Sequence, residues 1–439
     1  MKRILCLLLT GLLLFSAAAC SAPAAASQPE ATEIPEKPSG SGEQKPQVGV
    51  GDQTDPAEPD YDVLKYSGYG NFSQLLSSVL LTGTENRNLS PISVYLALAM
   101  VAEGASGDTL SELLALLGCS SLEELRGVCG EMLETLSVDD KEFGSVLDMH
   151  DSLWMTDSIG GASVTLRDEY LKTLSETYRS EASTVDFRSQ SAKDQIAAWI
   201  TEKTRGKIEV SPDALEFDPM TMAVLINTIY LKDSWGEAFD PENTASDLFY
   251  GLDGELTVDY MHRFDQGATV RLGDGWIAYR VYLRRVGYMT FVLPDKDVDL
   301  SELLGSPEAI DRLLHAGTDQ RYDVDLMIPK FKFQDKLELT KVLQVLGLER
   351  SFTENADFSG MSDTPSNISS VLQESYIGVD ENGVEAAAYT MVSMKANGIN
   401  MMELEKLDFH LTRPFFYTIE AFDGTVLFVG TVTNPTVTG

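Results

Sequence analysis

Residues 378–409 read GVDENGVEAAAYTMVSMKANGINMMELEKLDF. The stretch is strand-compatible, yet it places Ala386, Ala387 and Ala388 where a strand usually has bulk. It has no obvious partner strand. From Val384 onward one parity reads Val384, Ala386, Ala388, Thr390, Val392, Met394 and Ala396, and carries no charge. The other reads Glu385, Ala387, Tyr389, Met391, Ser393 and Lys395, and carries both charges. Successive side chains of a strand face opposite sides, so this segment can lay an uncharged face on a core. An ordinary edge strand would bury large residues instead. Small ones need little room on a buried face. Overpacking there costs about 1–3 kcal/mol per site, and an unpaired buried charge costs more. From Val384 to Asn397 an extended chain spans about 45 Å at roughly 3.3 Å per residue, enough to cross a domain.

The surroundings are rich in strands. Residues 414–435, PFFYTIEAFDGTVLFVGTVTNP, predict two long strands joined at Asp423-Gly424, a hairpin signal. MAVLINTIYL at 222–231 is apolar or β-branched almost throughout, as in a central strand covered on both faces. Further strands are expected at 288–294 and 324–333, followed by a helix over 337–352. Helices come earlier. SVYLALAMVA at 93–102 is apolar on most faces. Thr109 with Glu112, and Ser121 with Glu124, have the spacing of capping boxes, and Gly118 is placed to end the first of those helices. In residues 192–206, Ile196, Trp199 and Ile200 form one stripe and Gly206 stops the helix. Helices first and hairpin-joined strands later predict an α+β body with large mixed sheets.

The N-terminal region is read separately. Lys2 and Arg3 precede the apolar run 4–15, too short to span a membrane as a mature helix. The small residues that follow end at Cys20 in a lipobox-like SAAAC, with Ala17 where such motifs usually have Leu. Residues 1–19 are expected to be a signal peptide and Cys20 the lipidated residue. Residues 21–60 hold seven of the chain's seventeen prolines, no aromatic residue, and eight acidic against two basic residues. Such a composition cannot bury enough apolar surface to offset its ordering entropy, so residues 20–60 read as a lipidated, disordered tether. The body follows, over 61–439, and is expected to work outside the cell, on its surface or secreted.

Formal net charge is −35. That balance speaks against nucleic acid, whose phosphates call for clustered Lys and Arg. Cys119 and Cys129 are expected to stay buried thiols rather than pair. His150, His262, His315 and His410 are never within helical reach of one another, and no Cys-x-x-Cys or His-Glu-x-x-His occurs, so no metal site is expected. There is no Gly-x-Ser-x-Gly elbow and no phosphate-cradling glycine loop, and the chain does not read as an enzyme or a cofactor carrier.

Taken in order, NLSPISVYLALAMVAEGASGDT, WITEKTRGKI, LINTIYLKDSWGEAFDPENT, IPKFKF, LGLERSFTENADFSGMS and the terminal hairpin resemble the serpin family of serine protease inhibitors, over about residues 69–435. The resemblance implies three β-sheets, eight or nine helices and an exposed reactive-centre loop at about 381–408. Its hinge would be Glu381, Gly383, Val384, Glu385, Ala386, Ala387, Ala388 and Thr390. Inhibitory members offer this loop as bait. The protease serine attacks and forms an acyl-enzyme, and the cut loop inserts into the central sheet before water can release the enzyme.

The family count from Glu381 puts the bait bond at Asn397–Gly398. Lys395 would suit a trypsin-like enzyme; Met394, Met401 or Met402 would suit elastase- or subtilisin-like enzymes. Cysteine proteases are a further possible target. Ser90, Ser93, Asn227, Trp235 and Gln373 fall where the family's central strands part. Gln373 stands where a histidine is common, Val384 where Thr or Ser is usual, and Thr412 where Asp or Asn is usual. A monomer is expected. The competing reading keeps the fold but makes the chain a non-inhibitory binding protein on the cell surface.

Overall fold

The computed structural model describes residues 67–159, 161–218, 220–385 and 404–437. Its organising element is the strand Ala223–Ser234, whose first nine residues are all buried. On one face Leu225, Ile229 and Leu231 join the main core. On the other, Val224 and Ile226 join a smaller cluster with Trp154, Ile196, Trp199 and Ile200. Burial on both faces is why this strand reads as a nearly unbroken apolar run. Helix Pro91–Glu103 lies in the main core, buried from Pro91 to Ala102. Helix Gln190–Lys203 supplies the smaller cluster.

The central strand belongs to a seven-stranded sheet. It pairs antiparallel with Ser145–Thr156 on one side and, in its first half, parallel with Ser370–Asp380 on the other. Phe331–Glu338 pairs with the outer edge of Ser370–Asp380. A nine-stranded sheet carries the terminal hairpin Phe415–Ala421/Val426–Val432, which pairs with Gly287–Pro294 and turns at Gly424 (φ +85°). Among the described residues that sheet ends at Lys406–His410, which pairs with Thr318–Pro329. A two-stranded ribbon, Ser158–Ile159/Ala162–Ser163, makes the third sheet, and the described residues form nine α-helices. This is the α+β, three-sheet architecture expected from the sequence.

Local readings divide. Ser121 caps helix Leu122–Leu136 by accepting from the Glu124 amide at 3.2 Å, and Glu124 accepts from the Ser120 amide at 2.7 Å. Gly118 ends helix Gly107–Leu117 at φ +66°, where a Cβ would lie 2.6 Å from the Gly68 Cα. The Thr109–Glu112 capping box does not form, because the helix starts at Gly107. Both side chains serve tertiary contacts instead: the Thr109 hydroxyl accepts from the Asp357 amide at 2.9 Å and Glu112 from the Arg350 amide at 2.8 Å.

The run 324–333 is two strands in two sheets, Thr318–Pro329 and Phe331–Glu338. Pro329 has no amide to continue the ladder, and the chain changes sheet at Lys330. The helix expected over 337–352 shrinks to Thr340–Val345. Strand pairing with Gln373 and Leu372 captures Leu337 and Glu338, and Gly347 (φ +100°) ends the turn. Cys119 and Cys129 are both free thiols, and burial pushes the Cys129 pKa well up.

Candidate functional site

The site is the seam between Ala223–Ser234 and Ser370–Asp380. Pairing runs from Val224–Ser370 to Ile229–Ser375 and then stops. Above it the strands part, and the chain that turns back at Glu381–Asn382 re-enters between them. Gly383–Val384 pairs antiparallel with both walls: Val384 lies opposite Val379 and Asp233, Gly383 opposite Asp380 and Ser234. Val384 is 2% exposed and belongs to the main core. Glu385 takes the opposite face, the parity read from sequence.

Three groups of contacts hold this mouth. Trp235, 1% exposed, donates from Nε1 to the Asp380 carbonyl at 2.8 Å and from its amide to the Asn382 carbonyl at 2.9 Å. Glu381 accepts from Lys330 Nζ at 2.9 Å and from the Thr244 hydroxyl at 2.8 Å. Partial burial works to raise its pKa, but these donors and its own amide outweigh that and hold it below the usual carboxylate range. Glu385 accepts from Lys207 at 2.8 Å and from the Tyr230 hydroxyl at 3.2 Å.

Glu385 has φ +51°, a left-handed conformation that costs a non-glycine residue about 1–3 kcal/mol. Its amide still donates to the Gly378 carbonyl at 2.8 Å, so bonding to that wall reaches this residue. The carboxylate is 7% exposed and Lys207 43%. The two partners respond in opposite senses. Burial raises the Glu385 pKa by more than Lys207 and Tyr230 lower it, whereas Lys207, which keeps most of its hydration, gains from the pair and is raised. Glu385 therefore sits in a site only partly compensated for its charge.

The closed end of the seam is different. Gln373 lies opposite Asn227 and donates from Nε2 to Asn227 Oδ1 and to the Ser90 carbonyl, each at 2.9 Å. Ser93 Oγ lies 3.4 Å from the same nitrogen, and Gln373 Oε1 accepts from the Ser90 amide at 3.0 Å. All four residues are at most 1% exposed. Asn227 in turn donates to Asp151 at 3.1 Å, and burial pushes the Asp151 pKa up to about 8, so at neutral pH the carboxyl is mostly protonated.

The structure thus gathers Ser90, Ser93, Asn227 and Gln373 at the fork and puts Trp235 under the hinge instead. Asp151, Lys207, Tyr230, Lys330 and Thr244 enter the site without a sequence signal of their own. Ala386, Ala387, Ala388, Thr390, Met394, Lys395, Asn397, Gly398, Met401 and Met402 lie outside the described residues, as do Cys20 and the whole N-terminal region to residue 66.

A sheet parted at one end, with a returning two-residue strand wedged into the gap, has the geometry of a sheet that can take an extra strand. The serpin family model, serine protease inhibitors, matches residues 69–435, and the chain belongs to that family. A serpin-like protein of Thermococcus kodakarensis is 31% identical over 391 residues, covering 85% of this chain and 88% of its own length. Arabidopsis AtSerpin1, solved in its native stressed conformation, superposes with a TM-score of 0.74 at 25% identity, over 85% of this chain and 98% of its own. Human thyroxine-binding globulin, solved with its hormone bound, superposes at 0.73 with 25% identity, over 85% of this chain and 99% of its own.

Proposed function

We propose that this serpin is a single-use inhibitor of extracellular serine proteases that traps the acyl-enzyme by inserting its cut loop into the seven-stranded sheet. The observation that carries this reading is Gly383–Val384, already paired between both walls of the seam. Continuing that register brings Thr390 between Gln373 and Asn227, the pair that now closes the fork. Thr390 shares the parity of Val384, so its hydroxyl would meet their amides as they separate. The same register sets Gly383 to Met394 against the full twelve-residue central strand. A cut after Asn397 leaves a short margin beyond Met394, while a cut after Met394 leaves none. That favours Asn397–Gly398, Met401 or Met402 over Met394 as the bait bond.

The test is to incubate the protein with trypsin-, elastase- and subtilisin-like enzymes and with a papain-like cysteine protease. A covalent adduct that survives detergent is expected, with a released C-terminal peptide that locates the cut. The nicked protein should melt well above the intact one, since only an inserting loop gains a strand. If nicking leaves the melting temperature unchanged and every protease stays active, the chain is instead a non-inhibitory, ligand-binding serpin.

We also read Cys20 as the anchor of a lipoprotein displayed at the cell surface, on the residue pattern alone. Cys20→Ala should then release the protein into the medium, and unchanged membrane recovery would refute the anchor.

A further inference from the structure

We propose that His262, Asp325, Asp408 and His410 form a binding site for a divalent transition metal of the zinc type, one that staples the strand Lys406–His410 to the sheet. Spacing along the chain hides this grouping, because the four residues come from three separate strands. In the nine-stranded sheet Asp325 stands opposite Asp408, and Met327 stands between His410 and His262. Positions two apart share a face, so all four side chains emerge on one side of the sheet. Two of the chain's four histidines meet two carboxylates there.

One oxygen of each carboxylate and one ring nitrogen of His410 already lie within 4.8 Å of one another. His262 Nε2 is hydrogen-bonded to Asp325 Oδ1. His410 supplies a second, independent sign. Its Nε2 is buried without a hydrogen-bond partner among the described residues, 3.4 Å from Asp325 Oδ2. A buried ring nitrogen left unbonded beside a carboxylate is a position that a cation would satisfy.

The donor set selects the ion. Zinc takes imidazole nitrogen at about 2.0–2.1 Å and carboxylate oxygen at about 2.0–2.2 Å, so a tetrahedron needs donors about 3.3 Å apart. Asp325, Asp408 and His410 already approach that spacing, and His262, held on Asp325, would have to turn from that carboxylate toward the ion. Calcium and magnesium take oxygen donors and would leave both imidazoles unused. The position explains what binding would do. Lys406–His410 is a five-residue strand at the end of its sheet, with one neighbour among the described residues. Asp408 and His410 lie on that strand, while Asp325 and His262 lie on the two strands inside it. A shared ion would resist peeling of the edge.

The experiment uses the untagged full chain, with zinc chloride as probe. Calorimetry should show one zinc per chain and no comparable heat with magnesium. Cobalt should give the visible absorption of a four-coordinate site. Asp408 is exposed, so Asp408→Asn should fold, as shown by an unchanged melting temperature without zinc; it and His410→Gln should each weaken binding roughly tenfold or more. Hydrogen exchange of residues 406–410 should slow with zinc in the parent and not in the variants. Absence of binding at 100 µM zinc (about the limit for a specific site), affinity unchanged by both substitutions, or binding without slowed exchange would overturn the proposal.

Discussion

The two ends of the seam between Ala223–Ser234 and Ser370–Asp380 are built on the same two strands and behave as opposites. At the fork, Gln373 bonds Asn227 and the Ser90 backbone beside Ser93, all at 1% exposure or less, and these contacts involve no ion pair, although the Ser90 hydroxyl has no partner among the described residues. At the mouth, a third strand of two residues occupies the gap, a non-glycine residue holds φ +51°, and a carboxylate relies on a half-exposed lysine. The fork is a neutral network with its bonds internal; the mouth is a charged, strained contact that reaches solvent through Lys207. On the proposed mechanism the sheet stays shut until the loop is cut and then opens along its length, which calls for resistance at one end and readiness at the other.

The largest effect should come from a charge on the inserting face. Val384→Arg sets a guanidinium where the native side chain is 2% exposed. Burying it unpaired costs several kcal/mol, so protease adduct should fall by roughly a hundredfold or more. The loop would still be cut, and the variant should be turned over as a substrate. A detergent gel that shows parental adduct levels would mean that a charge at Val384 does not hinder insertion of the rest of the loop.

Asp151 tests the claim that the fork is neutral. Its folded pKa of about 8 stands above the ordinary carboxyl value, so the stability it contributes is complete below about pH 4 and lost as pH rises toward 8. The expected slope is about 1.4 kcal/mol per pH unit across that window. Asp151→Asn keeps an acceptor for Asn227 and removes the titration. Its melting temperature should therefore vary less than the parent's between pH 5 and pH 8, and should be higher at pH 8. Parallel profiles would show that the carboxyl is ionised in the folded protein and that the fork is charged after all.

These two residues also mark how far sequence carries. Val384 was legible because strand parity depends only on neighbours along the chain, and a run with one charge-free face is visible without any partner. Other local signals revealed the hairpin, from its Asp423-Gly424 turn, and the central strand, from its nearly unbroken apolar run. Asp151 was not legible: it is one of two acids in SVLDMHDSLWMT, and only pairing with Asn227 across the sheet gives it a role. Lys207 and Tyr230 are hidden for the same reason, since each meets Glu385 only through the fold. Local rules failed where tertiary partners outbid them, at Thr109 and Glu112, and where the chain changed sheet, at Lys330.

Lys207→Met probes the mouth directly. Because Lys207 is 43% exposed, the pair is worth about 1 kcal/mol rather than the several of a fully buried one. Without it the buried Glu385 carboxylate loses its main support, and the hinge should leave the gap about fivefold more often. Faster amide exchange at Gly383–Glu385 would report that. The pH dependence has a definite sign. A raised carboxyl pKa favours the tucked hinge below the ordinary carboxylate range, and the advantage fades as pH rises through the raised value. Removing Lys207 should enlarge that loss. Equal exchange in parent and variant at both ends of the range would make the mouth as self-sufficient as the fork.

The smallest expected effect is the most discriminating between the two ends. Tyr230→Phe removes one hydroxyl, which donates to Glu385 at 3.2 Å, and leaves the ring beneath Arg205 in place. A hydrogen bond to a charged acceptor is worth about 1.5–3 kcal/mol when buried. This one is long and shares its acceptor with Lys207, so less than 1 kcal/mol is expected, a two- to threefold rise in hinge exchange. In Lys207→Met the same substitution should matter more, because the phenol is then Glu385's remaining donor from the walls of the seam. A double-mutant cycle measures the difference. Coupling means that Lys207 and Tyr230 act on one carboxylate as a single latch. Strict additivity would mean that strain at Glu385, rather than its ion pair, sets how often the mouth opens.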